Sequence, residues 1–167
     1  MACQVLPIAE EHIVGFHSSL DRVARERKYL AFLEAPPLSE TEAFVRKNIA
    51  RHNPQFVAVE ANTVIGWCDI TPMERTVFAH RGSLGMGVIP EFRGKGIGRR
   101  LIEVTLSAAR AKGLARIDLQ VREDNIPAFS LYRRFGFVVE GVKRQAFCVD
   151  GSYFNLVSMA LLFDAIA

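Results

Sequence analysis

Residues Leu84–Gly113 read LGMGVIPEFRGKGIGRRLIEVTLSAARAKG, and the fold follows from how this stretch changes character. It opens as a short apolar strand, Leu84–Ile89, turns through Pro90–Gly98, and continues as an amphipathic helix closed by Lys112-Gly113. Gly94, Gly96 and Gly98 leave backbone N–H groups at the helix start without side-chain cover. Arg93, Lys95, Arg99 and Arg100 surround the turn with no acid among them. Unpaired N–H groups, the positive end of a helix dipole and four basic side chains make an anion site. The expected anion is a phosphate or pyrophosphate.

Spacing decides which phosphate ligand. A Walker loop needs Lys followed by Ser or Thr, whereas Lys95 is followed by Gly96. A dinucleotide fingerprint needs G-x-G-x-x-G in an early strand–turn–helix unit, whereas these glycines run G-x-G-x-G at mid-chain. What remains is Arg93-x-x-Gly96-x-Gly98, following a strand and opening a helix.

Outward from this centre the periodicity predicts a strand at Cys3–Ile8 and a helix from about Glu10 to Tyr29 with Ile13, Phe16, Leu20 and Ala24 on one stripe. Pro36-Pro37 breaks that pattern, and Ser39-x-x-Glu42 reads as a capping box for a second helix with Phe44, Val45 and Ile49 inward. Gln55–Glu60 and Thr63–Ile70 are strands joined at Ala61-Asn62, and residues 72–83 read as polar and irregular. The helix after the anion turn should bury Ile97, Leu101, Val104 and Ala108, and a strand at Arg116–Val121 completes a right-handed βαβ unit. Asn125 reads as the N-cap of a helix ending before Gly136, and two long strands flank Asp150-Gly151, the strongest hairpin signal. The order β-α-α-β-β-β-α-β-α-β-β predicts a mixed, mostly antiparallel sheet of about seven strands with helices on both faces.

Two motifs in this order, Arg93-x-x-Gly96-x-Gly98 and Asn125-x-x-Ala128-x-x-x-Tyr132-x-x-x-Gly136-Phe137, resemble those of the GNAT superfamily of acetyl-CoA-dependent N-acetyltransferases. The element order matches that fold along the full chain, implying a single N-acetyltransferase domain over residues 1–167. The resemblance implies that Met86, Val88, Arg93, Gly94, Lys95, Gly96, Ile97, Gly98, Arg99, Asn125 and Ala128 bind acetyl-CoA. Tyr132 would be the general acid that protonates the departing thiolate, and a backbone N–H near Val88 would receive the oxyanion. The bare face of Gly85 and Gly87 suits a pantetheine arm, with glycines packed directly under a helix as the alternative.

The chemistry implied is direct attack of a primary amine on a thioester. An amine of pKa near 10 is only about one part in a thousand neutral at pH 7, so a base is expected. In relatives resembling phosphinothricin acetyltransferases a carboxylate stands where this chain has about Ser83; Asp69, Glu74, His80 and Glu123 are nearby candidates, and a water chain could replace any of them. The expected acceptor is a small amino-acid-like amine. A protein N-terminus or a polyamine is the alternative acceptor. A non-catalytic acetyl-CoA-binding module is the alternative of a different class, which thiol release against an amine panel separates.

Composition bounds the remaining classes. With 167 residues, half of them apolar, the chain can bury a core without metal or disulfide staples. A net charge of +3 gives no sign of nucleic-acid binding, and no metal ligand set is apparent. Cys3, Cys68 and Cys148 are scattered and odd in number, which reads as reduced thiols in a cytoplasmic protein. MACQVLPIAEEH lacks the pattern of a signal peptide, and no stretch suggests a membrane span. The final strand, Ser152–Phe163, is largely apolar on both faces, so either helices of the same chain or a second subunit should cover it, the latter giving a two-fold homodimer.

Overall fold

In a computed structural model, residues 2–164 are described, and seven strands and four helices follow one another in the expected order. The strands are β1 (Gln4–Pro7), β2 (Gln55–Glu60), β3 (Thr63–Pro72), β4 (Arg81–Val88), β5 (Arg116–Arg122), β6 (Val138–Val149) and β7 (Ser152–Leu162). The helices are α1 (Ile13–Ala24), α2 (Leu38–Ala50), α3 (Ile97–Ala111) and α4 (Ile126–Arg134). The strands form one mixed sheet in the order β1-β2-β3-β4-β5-β7-β6, and the β4–β5 pair is parallel. The chain divides into two compact units, one running to Thr71 with Gly85–Lys112, the other Pro72–Leu84 with the chain from Gly113 onward.

In the first unit, α1 buries the predicted stripe of Ile13, Phe16, Leu20 and Ala24, with Val23 added. The Phe16 ring stands edge-on to Trp67 of β3 at 5.6 Å. Buried side chains of this size each contribute roughly 1.5–3 kcal/mol. The helix ends at Ala24 rather than near Tyr29, and Arg27 follows in a left-handed conformation at φ 55°. α2 starts at Leu38 with Pro37 as an N-cap that makes no side-chain bond, so the expected Ser39–Glu42 capping box does not form. Its inward face also departs from expectation: Thr41, Val45 and Asn48 are buried, while Phe44 and Ile49 are partly exposed. Asn48 is kept inside by bonds to two further amides, donating from Nδ2 to Gln55 Oε1 at 2.8 Å and accepting from Asn53 Nδ2 at 3.0 Å.

α3 covers the other face of β3. It buries Ile97, Leu101, Ile102, Thr105, Leu106 and Ala109, so the predicted inward Val104 and Ala108 sit at the margin of the buried stripe. Thr105 is hydrogen-bonded to the fully buried Cys68 thiol, which burial pushes far above its ordinary pKa.

In the second unit, β7 lies between β5 and β6, pairing antiparallel with both. Asp150 and Gly151 take φ values of 50° and 76°, the left-handed pair that a two-residue hairpin turn requires. Arg116 bridges Asp118 and Glu140, and Arg81 reaches Asp118 at 2.9 Å. Burial works to raise the Asp118 carboxyl, but hydrogen bonds from Arg116 and Arg81 prevail and hold it below the usual range. β4 begins at Arg81, earlier than the sequence indicates, because Arg81, Gly82 and Ser83 pair with Arg116, Ile117 and Asp118 of β5.

Candidate active site

The anion turn of the first unit has the predicted backbone. Gly94 and Gly96 adopt φ values of 72° and 77°, a left-handed geometry suited to glycine, and a Cβ at either would meet nothing within 4 Å. Gly96 is the N-cap of α3 and no side chain caps it. Helix geometry therefore leaves the N–H groups of Ile97, Gly98 and Arg99 without partners inside the helix. An open cradle at the positive end of a fifteen-residue helix fits a pyrophosphate.

The four basic side chains divide into two pairs. Arg93 donates from Nε to Val88 O at 2.8 Å and from Nη1 to Glu26 Oε2 at 2.9 Å, with Nη2 on the other carboxylate oxygen. Arg100 donates to Cys3 O at 3.1 Å. Arg93 thus fixes the loop to the end of β4 and to the end of α1 rather than pointing freely at a ligand. Lys95 lies 4.8 Å over the Phe92 ring and Arg99 is exposed, and neither makes a hydrogen bond or ion pair with the described residues. Glu26 brings an acid against the basic cluster, and Glu91, within the turn itself, pairs with Arg22. No local spacing reveals Glu26, since it arrives through the packing of α1.

The glycine face of β4 differs from expectation. A Cβ on Gly87 would stand 2.4–2.9 Å from three ring atoms of Trp67, so the indole fills the space offered to a pantetheine arm. At Gly85 the neighbour is Asp69, whose carboxylate oxygens lie 3.7 and 3.8 Å from the Cβ position. Trp67 and Asp69 alternate on β3 in the same phase as Gly87 and Gly85 on β4. That matched phase is the signal a sequence reading could have used. Met86 and Val88, on the opposite face of β4, are partly exposed.

Asn125, Ala128 and Tyr132 belong to the second unit. Asn125 caps α4 as predicted, its Oδ1 accepting from Ala128 N at 3.4 Å, and Pro127 pre-sets the first turn. Seven residues on, Tyr132 is buried with its ring 5.8 Å from Phe137. The turn before α4 is held by Arg122, only 7% exposed, which forks onto Asp124 and stacks 3.8 Å over Phe154. Such a buried guanidinium is stabilised by its paired charge and aromatic cover together.

The four base candidates separate clearly. Glu74 and His80 are exposed. Glu123 is exposed and accepts from Asn155 N and Nδ2, which fixes a bulge in the β6–β7 ladder where Gln145 takes φ 51°. Asp69 alone is packed tightly enough that burial pushes its carboxyl up to about 7. Among the described residues no group of three or more His, Cys, Asp or Glu could hold a metal, and no helix is long and apolar enough to cross a membrane.

Three relatives place this geometry. The chain is 36% identical over 110 residues to the N-alpha-acetyltransferase RimI of Mycobacterium tuberculosis, covering 66% of this chain and 68% of that one. Its fold is similar to yncA of Salmonella typhimurium, solved with acetyl-CoA, at a TM-score of 0.92, 18% identity and coverage of 100% and 97%. It is also similar to the phosphinothricin acetyltransferase Pat of Sinorhizobium meliloti, solved in complex with acetyl-CoA, at 0.89, 18% identity and coverage of 97% and 89%. The profile of the Acetyltransferase (GNAT) family matches residues 10–137, a span that takes in the glycine cradle, Asn125 and Tyr132. The chain belongs to that family and is an N-acetyltransferase with acetyl-CoA as its cosubstrate.

Proposed function

We propose that the acceptor is the α-amine at the N-terminus of a peptide or protein. The observation that carries this reading is the similarity to RimI. Chemistry supports it, because an N-terminal α-amine of pKa roughly 7.7–8.0 is about one-tenth neutral at pH 7. Such a nucleophile needs far less help than a lysine amine. The small amino-acid-like acceptor expected from sequence is the second reading, favoured by the similarity to Pat over 97% of the chain.

In this reading the N–H groups of Gly94, Lys95, Gly96, Ile97 and Gly98 take the pyrophosphate. Lys95 and Arg99 supply charge, and Arg93 holds the loop in shape. Met86 and Val88 border the acyl end, with a backbone N–H near Val88 for the oxyanion. Asn125 and Ala128 take the pantetheine arm, and Tyr132 protonates the thiolate as the carbon–sulfur bond breaks. Acetyl-CoA supplies the activated acyl group.

Release of the CoA thiol tests the acceptor, using peptides with free Ala, Ser or Met N-termini, the same peptides with blocked N-termini, and free amino acids. Turnover confined to free N-termini is the expected result; turnover of free amino acids alone would replace it with the second reading. Tyr132→Phe should lower kcat by roughly 10²–10⁴ with little change in acetyl-CoA affinity. An undiminished kcat with chemistry rate-limiting would leave Tyr132 as a core aromatic. Exposed Val138, Val142 and Tyr153 on β6 and β7 support the proposal of a homodimer, and the three free cysteines support that of a cytoplasmic location. Sedimentation showing a species of only 18.6 kDa at micromolar concentration would reject the dimer.

A further inference from the structure

We propose that Asp69 is the base that removes the proton from the acceptor ammonium, acting across the opening that Gly85 leaves in β4. The inference rests on the proposed amine acceptor and adds to it the residue that readies the amine for attack.

Three observations converge on this side chain. Asp69 is a cross-strand partner of Gln55, and its carboxylate faces Gly85, its oxygens 3.7 and 3.8 Å from where a Cβ would stand. Among the described residues it has neither a hydrogen-bond donor nor a cation, unlike Asp21, which pairs with Arg25, and Glu26, which pairs with Arg93. Gln55, its register neighbour, holds a buried Nε2 with no hydrogen-bond partner. A buried donor and a carboxylate acceptor, both without partners, therefore share one face of the sheet, and such groups are costly unless they serve a ligand. Unlike the other three candidates, Asp69 is also partly shielded from water.

The environment suits the task. The helices α1 and α2 turn Ile13, Phe16, Leu20, Val23, Thr41, Val45 and Asn48 inward, none of them ionisable. β2 and β4 contribute Gln55 and Gly85, and the adjacent Cys68 thiol is an ionisable neighbour that burial keeps protonated. Burial brings the carboxyl close to neutrality, within about one unit of an N-terminal α-amine, so proton transfer between them is nearly balanced.

The step balances as follows. The Asp69 carboxylate takes one proton from R–NH3+, leaving R–NH2 and a neutral carboxylic acid. The amine lone pair forms the C–N bond at the thioester carbonyl, and the C–S bond breaks. The second proton lost by nitrogen accounts for the thiol, and Asp69 returns its own proton to solvent.

The test compares Asp69→Asn with wild type on an Ala-N-terminal peptide from pH 6 to 9.5. The variant should lose about 10-fold in kcat/KM at pH 7, the shortfall of free amine at that pH, with acetyl-CoA affinity by calorimetry unchanged within about two-fold. The loss should shrink as pH approaches the amine pKa, because free amine then arrives without help. Carbon-13 NMR of the wild type without acetyl-CoA should show the Asp69 carboxyl titrating at the pH of the acidic limb of kcat/KM. An Asp69→Asn enzyme with wild-type rate and profile, or a carboxyl titrating below pH 5, would overturn the proposal. A wild type that ignores the peptide but uses a free amine fails the acceptor reading alone, and the same comparison is then made on that amine.

Discussion

The stretch from Gly85 to Gly98 holds two sets of glycines that look alike in sequence and behave oppositely. Gly94 and Gly96 sit in left-handed backbone with open space beyond them. Gly85 and Gly87 lie in an extended strand, where the Trp67 ring takes the side-chain space of Gly87 and the Asp69 carboxylate stands at contact distance from that of Gly85. Absence of a Cβ makes room in both places; the turn offers it to a ligand, the strand to its neighbour. In the first set glycine is needed for its torsion angles; in the second, Gly87 is needed for its size.

Substitutions at four positions press on this difference. The largest effect is expected at the open set. Gly96→Asp should weaken acetyl-CoA binding at least 100-fold, about 2.7 kcal/mol, while Gly96→Asn, which tolerates the same φ, should weaken it far less. Calorimetry giving equal losses would mean that backbone strain, not charge at an anion site, governs the turn. At the filled set, Gly87→Ala should destabilise the fold by about 2–3 kcal/mol in urea titration, since the Trp67 ring it would strike is itself packed against Phe16.

Asp69→Asn tests the same packed face with the opposite sign. The folded carboxyl holds its proton up to about pH 7, against roughly 3.9 unfolded, so the folded state binds more protons between those values. Stability therefore falls as pH rises from about 4 to 7, and a neutral amide removes that slope. The variant should gain on the order of 2–3 kcal/mol above pH 7 and nothing below pH 4, as read by thermal melts across pH. A gain of stability with a loss of turnover is the expected signature of a group kept for chemistry. The smallest effect belongs to Gly85→Ala, whose Cβ would meet the Asp69 oxygens at ordinary contact distance. It should cost under about 1 kcal/mol yet move the acidic limb of kcat/KM upward by stripping water from the carboxylate.

Local signals were legible wherever they were chemical. The Ala61-Asn62 and Asp150-Gly151 turns, the Asn125 cap, the glycine cradle and the α1 stripe could all be read from neighbouring residues, and the structure has each. Readings that depended on distant partners fared differently. The Ser39 cap gave way to Pro37, and Asn48 displaced Phe44 and Ile49 from the inward face because Gln55 and Asn53 supply its hydrogen bonds. Arg93 reads as a phosphate ligand until α1 brings Glu26 against it. Gly87 reads as a ligand surface until β3 aligns Trp67 with it. A side chain's own character is written locally, whereas what occupies its surroundings is set by register and packing.

Cys68 lies between Trp67 and Asp69 and points to the other face, sealed beneath α3 and bonded to Thr105. Alkylating reagents act on thiolate, and this thiol becomes thiolate only when β3 and α3 part. Cys3 and Cys148, more accessible to solvent, should label at once, leaving a slow phase that belongs to Cys68. The rate of that phase measures how often the strand carrying Asp69 opens, a local free energy that global melting averages away. Bound acetyl-CoA should slow it by mass action. The chain thus carries, one residue from its proposed base, a built-in clock for the rigidity on which that base depends.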